Sequence, residues 1–153
     1  MEKTNVTFNS CRDFSVEKFI TPTLLTLKEL SANSSNSVFH REAIFTSIKK
    51  YISMSKSAEN RKHTNVGDPL WHHFVDLAMS AIRDAGMLYD YSFRRGMYFN
   101  FTNDTIDYLN AESNQVVTDL IYKNFLSDTK VNIVKVWKKF NNKSKVVLIK
   151  KAK

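Results

Sequence analysis

The chain has 153 residues, 42% of them apolar, with eleven Phe, six Tyr and two Trp, enough to bury the core of one domain. One cysteine, Cys11, excludes an internal disulfide framework. No apolar run reaches the roughly 20 residues of a membrane span, and the N-terminal stretch lacks the apolar segment of a signal peptide, so an intracellular, cytoplasmic protein is expected. The net charge of +8 is a property of one end: residues 130–153 hold nine Lys and no acid, while residues 1–129 hold 14 basic and 15 acidic residues.

Residues 1–19 show no periodicity and read as an N-terminal arm. Thr21 followed by Pro22 predicts a helix start, because Thr caps well and proline at the first helical position loses no needed hydrogen bond. Leu24, Leu27 and Leu30 give this helix an apolar stripe, and the polar run from Ser31 ends it. Ile44, Ile48 and Ile52 recur every four residues and predict a second helix from about His40 to Ser53. Residues 53–67 are polar and read as a long loop. Across Lys49 to Lys62, five basic residues (Lys49, Lys50, Lys56, Arg61 and Lys62) face one acid, Glu59.

The third helix carries the sharpest signals. Asp68 reads as its N-cap, Pro69 as its first position and Gly86 as its stop. Trp71, Phe74, Val75, Ala78, Ala81, Ile82 and Ala85 form one apolar face, and His72, His73, Asp76, Ser80, Arg83 and Asp84 lie opposite. From Leu88 to Phe101, two aromatic alternating runs flank Arg94-Arg95-Gly96 and predict a β-hairpin with a basic tip. Thr102 caps a helical extension, either interrupted at Ser113 or continued through it, with Val116, Val117, Leu120, Ile121 and Phe125 as its apolar positions. Residues 104–128 carry five acids against Lys123. The basic segment 130–153 is compatible with a second hairpin turning at Asn141 and Asn142 or with a helix, and its removal is expected to leave the fold of residues 20–129 intact.

Two short helices, a long third helix ending at glycine and an immediate hairpin make the order of a winged helix-turn-helix, an α+β fold with a helical extension and a basic C-terminal segment. The physics suits double-stranded DNA: a long helix presents side chains to base edges while cations meet phosphate. The expected contacts are His72, His73, Asp76, Ser80 and Arg83 on the third helix and Arg94 and Arg95 on the wing. Lys49, Lys50, Arg61 and Lys62 of the body, and Lys135, Lys138 and Lys139 of the tail, complete the set. Two other readings stay open. One is a protein adaptor using the wing and residues 104–128, the other an RNA- or ribosome-associated basic protein, and self-association as a homodimer is compatible with each.

The stretches ITPTLLTLKEL, HREAIF, PLWHHFVDLAMSAIRDAGML and RRGMYFNFT, with Pro22, Arg41, Glu42, Ile44, Trp71, Ala85, Gly86, Leu88, Arg95, Gly96, Tyr98 and Thr102, resemble the N-terminal winged-helix domain of Mrr-type restriction proteins. The resemblance spans roughly residues 20–110. It implies a DNA-reading module that in the family serves a separate nuclease domain. The residues after it hold no cluster of acids and lysine suited to a nuclease metal, so it implies the reader without the cutter, and no catalytic site is expected.

His72 and Asp76 stand one helical turn apart, as metal ligands do, but no third ligand is evident and no metal or other cofactor is expected. Cys11 has no nearby histidine to activate it. No glycine-rich phosphate-binding motif occurs.

Overall fold

The computed structural model describes residues 5–33, 39–63, 67–90 and 98–141. The chain is mixed α and β, mostly helical. In order it forms β1 (Val6–Phe8), a 3₁₀ turn at Cys11–Asp13, α1 (Val16–Asn33), β2 (Phe39–His40), α2 (Arg41–Ile48), β3 (Ile52–Met54) and α3 (Lys56–Asn60). Then follow α4 (Leu70–Asp84), β4 (Leu88–Asp90), β5 (Tyr98–Phe101), α5 (Asn103–Ala111), α6 (Asn114–Leu126) and a helix over 133–141, here α7. No helix among the described residues is long and apolar enough to cross a membrane.

Residues 5–19, read as part of an N-terminal arm, are packed into the fold. β1 pairs in parallel with β3, Val6 opposite Ile52 and Phe8 opposite Met54. Phe8 stacks on Phe19 at 4.7 Å and meets Phe14 edge-on at 5.1 Å, and Phe19 stacks on Phe74 at 5.9 Å. The 3₁₀ turn between them is closed by Ser10 Oγ, which accepts from Arg12 N, and by Asp13 Oδ2, which accepts from Asn9 N and Ser10 N.

Helix α1 begins at Val16 rather than at Thr21, with Ser15 Oγ accepting from Lys18 N, and Pro22 lies inside it. An interior proline costs about 3 kcal/mol. Starting the helix earlier buries Phe19 and Ile20 completely, worth about 1.5–3 kcal/mol each, so the trade favours the longer helix.

The segment read as a loop is also partly ordered. Helix α2 stops at Ile48, which releases Ile52 into β3. Helix α3 then starts at a serine cap, Ser55 Oγ accepting from Ala58 N, and buries Ala58.

Helix α4 matches its sequence signals to within a residue: Pro69 is the capping residue instead of Asp68, and the apolar face packs on α1 and α6. Gly86 ends it at φ +86°, where a side chain is strained, and a Cβ there would also collide with the Asn132 side chain. The strands of the predicted hairpin pair antiparallel, Leu88 opposite Phe101 and Asp90 opposite Phe99. On the other edge of β5 lies β2, also antiparallel, giving the sheet order β2-β5-β4. The tip of the hairpin, with Arg94, Arg95 and Gly96, lies outside the described residues.

Thr102 and Ser113 cap two separate helices, α5 and α6. Where a second hairpin was an option, residues 133–141 are helical. Helical spacing brings Val134 into the core and sets Trp137 against Tyr108 at 5.2 Å, contacts that alternate strand spacing would split between two faces. The turn before α7 is anchored at two helix ends. Lys130 Nζ donates to the carbonyls of Asn124 and Ser127 at the end of α6, and Ile133 N donates to Ala85 O at the end of α4. Asn124 Oδ1 accepts from Val131 N and its amide donates to Asp84 O. Residues 130–141 are therefore part of the folded body. The remainder of the basic segment, from residue 142, lies outside the described residues.

Candidate nucleic-acid interface

Spacings of four, four and three residues place His72, Asp76, Ser80 and Arg83 along one stripe of α4, with His73 beside it. The N-terminal half of the stripe is braced by α2. Arg41 donates twice to Asp76, Nε to Oδ1 at 2.9 Å and Nη2 to Oδ2 at 2.5 Å. The pair joins residues 35 positions apart and neutralises Asp76, so its carboxylate does not repel a neighbouring phosphate. The bond to Asp76 raises the Arg41 pKa, which keeps the guanidinium charged.

Arg41 lies over the Phe45 ring at 4.6 Å, and the His72 ring stacks on Phe45 at 3.9 Å and meets Trp71 edge-on at 4.2 Å. Burial first, and the Arg41 charge second, push the His72 pKa below its ordinary 6.5. The imidazole is thus neutral near pH 7 and offers one donor and one acceptor, suited to a base edge more than to a phosphate. Linkage gives this a sign. Because the folded-state pKa is depressed, the His72 contribution to stability is complete above about pH 6.5 and declines as pH falls toward the folded-state value. Ring NMR titration is expected to place His72 below 6.5, and His72→Gln should flatten the fall in urea midpoint between pH 7 and 5; a ring titrating at or above 6.5 contradicts the packing argument.

His73 is exposed, its ring 4.8 Å from that of His63. Arg41, His63, Asp68, His72, His73 and Asp76 line a small cleft of about 110 Å³ at this end of α4. The loop leading into α4 is tied to it by His63 N donating to Asp68 O and Leu70 N donating to Arg61 O, both at 2.7 Å. These bonds hold exposed Arg61 and Lys62 beside the N-terminus of α4. Lys49 reaches the same end, with Nζ 5.7 Å above the Trp71 ring, while donating to Glu59 at 2.6 Å. Lys50 is directed elsewhere, to Glu29 on α1 at 2.8 Å.

Arg83 and the predicted lysines of the C-terminal segment lie toward the opposite end, and Arg94 and Arg95 fall outside the described residues. Ser80 and Arg83 are half-buried, and Arg83 Nη2 lies 3.7 Å from Asp84 Oδ1. Lys135 and Lys139 stand exposed on α7, whose start is fixed to the end of α4, and Lys138 donates to Asp104 at 3.0 and 3.1 Å. The fifteen residues of α4 span about 22 Å between these two ends. Exposed ion pairs of this kind are worth about 0–1 kcal/mol, so Lys49, Lys50 and Lys138 can exchange their acids for phosphate at little cost.

No protein-family model, curated protein or solved structure matches this chain. Arg41, His63 and Asp68 of the cleft were not among the expected contacts. Arg41 finds its carboxylate only through the packing of α2 on α4. His63 sits in a stretch with no periodicity, and its Nδ1 is buried without a partner. Among the described residues, no group of three His, Cys, Asp or Glu side chains is placed to hold a metal ion.

Proposed function

We propose that the chain is a winged-helix reader of double-stranded DNA with no catalytic site of its own, α4 lying against the major groove. The observation that carries this reading is the polar stripe of α4, flanked at both ends by cations on other elements. Such a surface lets side chains meet base edges while lysines and arginines on either side meet the phosphate strands. The element order supports it: α1, β2, α2, α4, β4 and β5 run helix, strand, helix, helix and hairpin, with β2 completing the sheet on β5. On this reading β1, β3 and α3 are additions to the winged-helix plan. The resemblance of residues 20–110 to Mrr-type reader domains points the same way.

Selection from a random duplex pool, followed by affinities on the selected and a scrambled duplex, tests the reading. His73→Ala and Arg83→Ala are each expected to reduce the preference for the selected duplex by about tenfold, since a base contact carries about 1–3 kcal/mol of discrimination. Lys138→Ala should weaken both duplexes alike. Equal losses on both duplexes from all three variants would remove base reading by α4, and tighter binding to RNA than to duplex DNA would move the function to an RNA partner.

A further inference from the structure

We propose that the groove between α5, α6 and α7 is a seam between two copies of this chain related by a twofold axis. All seven large apolar side chains that stand exposed among the described residues lie between Ile106 and Phe140, on these three helices and the turn before α7. Among the residues before Ile106 whose side-chain burial is described, no large apolar side chain stands exposed. Apolar exposure collected at one end of a molecule marks an interaction surface.

Five of the seven line a groove of about 330 Å³, with Val116 and Leu120 of α6 on one side, Val136 and Phe140 of α7 on the other, and Tyr108 and Trp137 between. Phe140 is 70% exposed and stands at the rim of this groove as a knob. A patch that carries both a knob and a groove is complementary to itself: a twofold rotation seats the Phe140 of each copy in the groove of the other.

The charges select the same occupant. Glu112 lines the groove at the end of α5, and Lys139 stands exposed on α7 next to Phe140. Among the described residues, Glu112 and Lys139 make no ion pair within the chain. Rotation about the axis lays each Glu112 over the partner's Lys139. An acidic partner would satisfy only Lys139 and a basic one only Glu112, whereas a second copy satisfies both. The seam is close to neutral although the chain carries +8, so self-association here does not bring like charges together. This arrangement assigns Lys139 to the seam and leaves Lys135 and Lys138 as the α7 cations for a polyanion.

Sedimentation of the full chain without DNA, from about 5 to 200 μM, measures the association independently of the proposed DNA reading. The wild-type chain is expected to be dimeric at the upper end. Phe140→Asp and Leu120→Asp, both at exposed positions, should each raise the dimer Kd by at least about tenfold with an unchanged circular dichroism spectrum. Glu112→Lys and Lys139→Glu should each weaken the dimer, and the two combined should restore it. A full chain that stays monomeric throughout would overturn the proposal, whether the groove is open or covered by the chain's own residues 142–153. A dimer indifferent to Phe140→Asp and Leu120→Asp would place the contact elsewhere, and a charge-swapped double variant no better than its parents would overturn the pairing of Glu112 with Lys139.

Discussion

A chain ending at Thr129 is expected to unfold with about 3–5 kcal/mol less free energy than the full chain, a fall in midpoint temperature of roughly 10 °C. Val134 is 3% exposed, and its side chain alone accounts for about 1.5–3 kcal/mol of burial. Trp137 covers Tyr108, which is otherwise among the largest fully buried side chains. Truncation also strips the Ala85 carbonyl of Ile133 N, the Asn124 carboxamide oxygen of Val131 N, and the end of α6 of the Lys130 ammonium. Urea denaturation of the full chain, of a chain ending at Asn141 and of one ending at Thr129 checks this. The chain ending at Asn141 keeps every contact just named and should retain the stability they supply. Equal midpoints for the chains ending at Asn141 and Thr129 would show that residues 130–141 lie outside the cooperative core.

Binding to duplex DNA should weaken steeply with salt, about 500-fold between 50 and 200 mM, the fall expected for about five phosphate contacts at a slope near −0.9 each. The count follows from geometry. Arg61, Lys62 and Lys49 serve one end of α4, and Lys135 and Lys138 the other, two of the five giving up an exposed acid to bind. An Arg61→Ala, Lys62→Ala double variant should lower the magnitude of the slope by about 2, because each lost contact spares one counterion release. Fluorescence anisotropy on a fixed duplex across the salt range supplies both numbers. A flat response in the wild-type chain would dissociate binding from these cations, and an unchanged slope in the double variant would move the phosphate strand away from the α4 N-terminus.

Sequence periodicity and punctuation determined the elements whose instructions are local. Helix α4 follows from its apolar face and Gly86, the two strands after it from alternating aromatics, and the helical stretch after them from Thr102 and its apolar positions. In the helices the hydrogen bonds and caps connect residues a few positions apart, and in the strand pair residues 9 to 13 apart, so the pattern is written close to where the element forms. The tertiary structure decided the rest, because there the decisive partners are distant in sequence. Three-residue strands such as β1 and β3 carry no readable period and exist because they pair with each other across 46 positions, Val6 opposite Ile52. The start of α1 was set by burial of Phe19 and Ile20 against the cost of Pro22. Residues 133–141 alternate imperfectly and became a helix because only helical spacing sets Val134 into the core and Trp137 on Tyr108. The candidate site divides in the same way: His72, His73, Ser80 and Arg83 were legible as one polar face, but the neutralisation of Asp76 by Arg41 and the neutral state of His72 depend on α2 packing across α4, a contact no local pattern encodes.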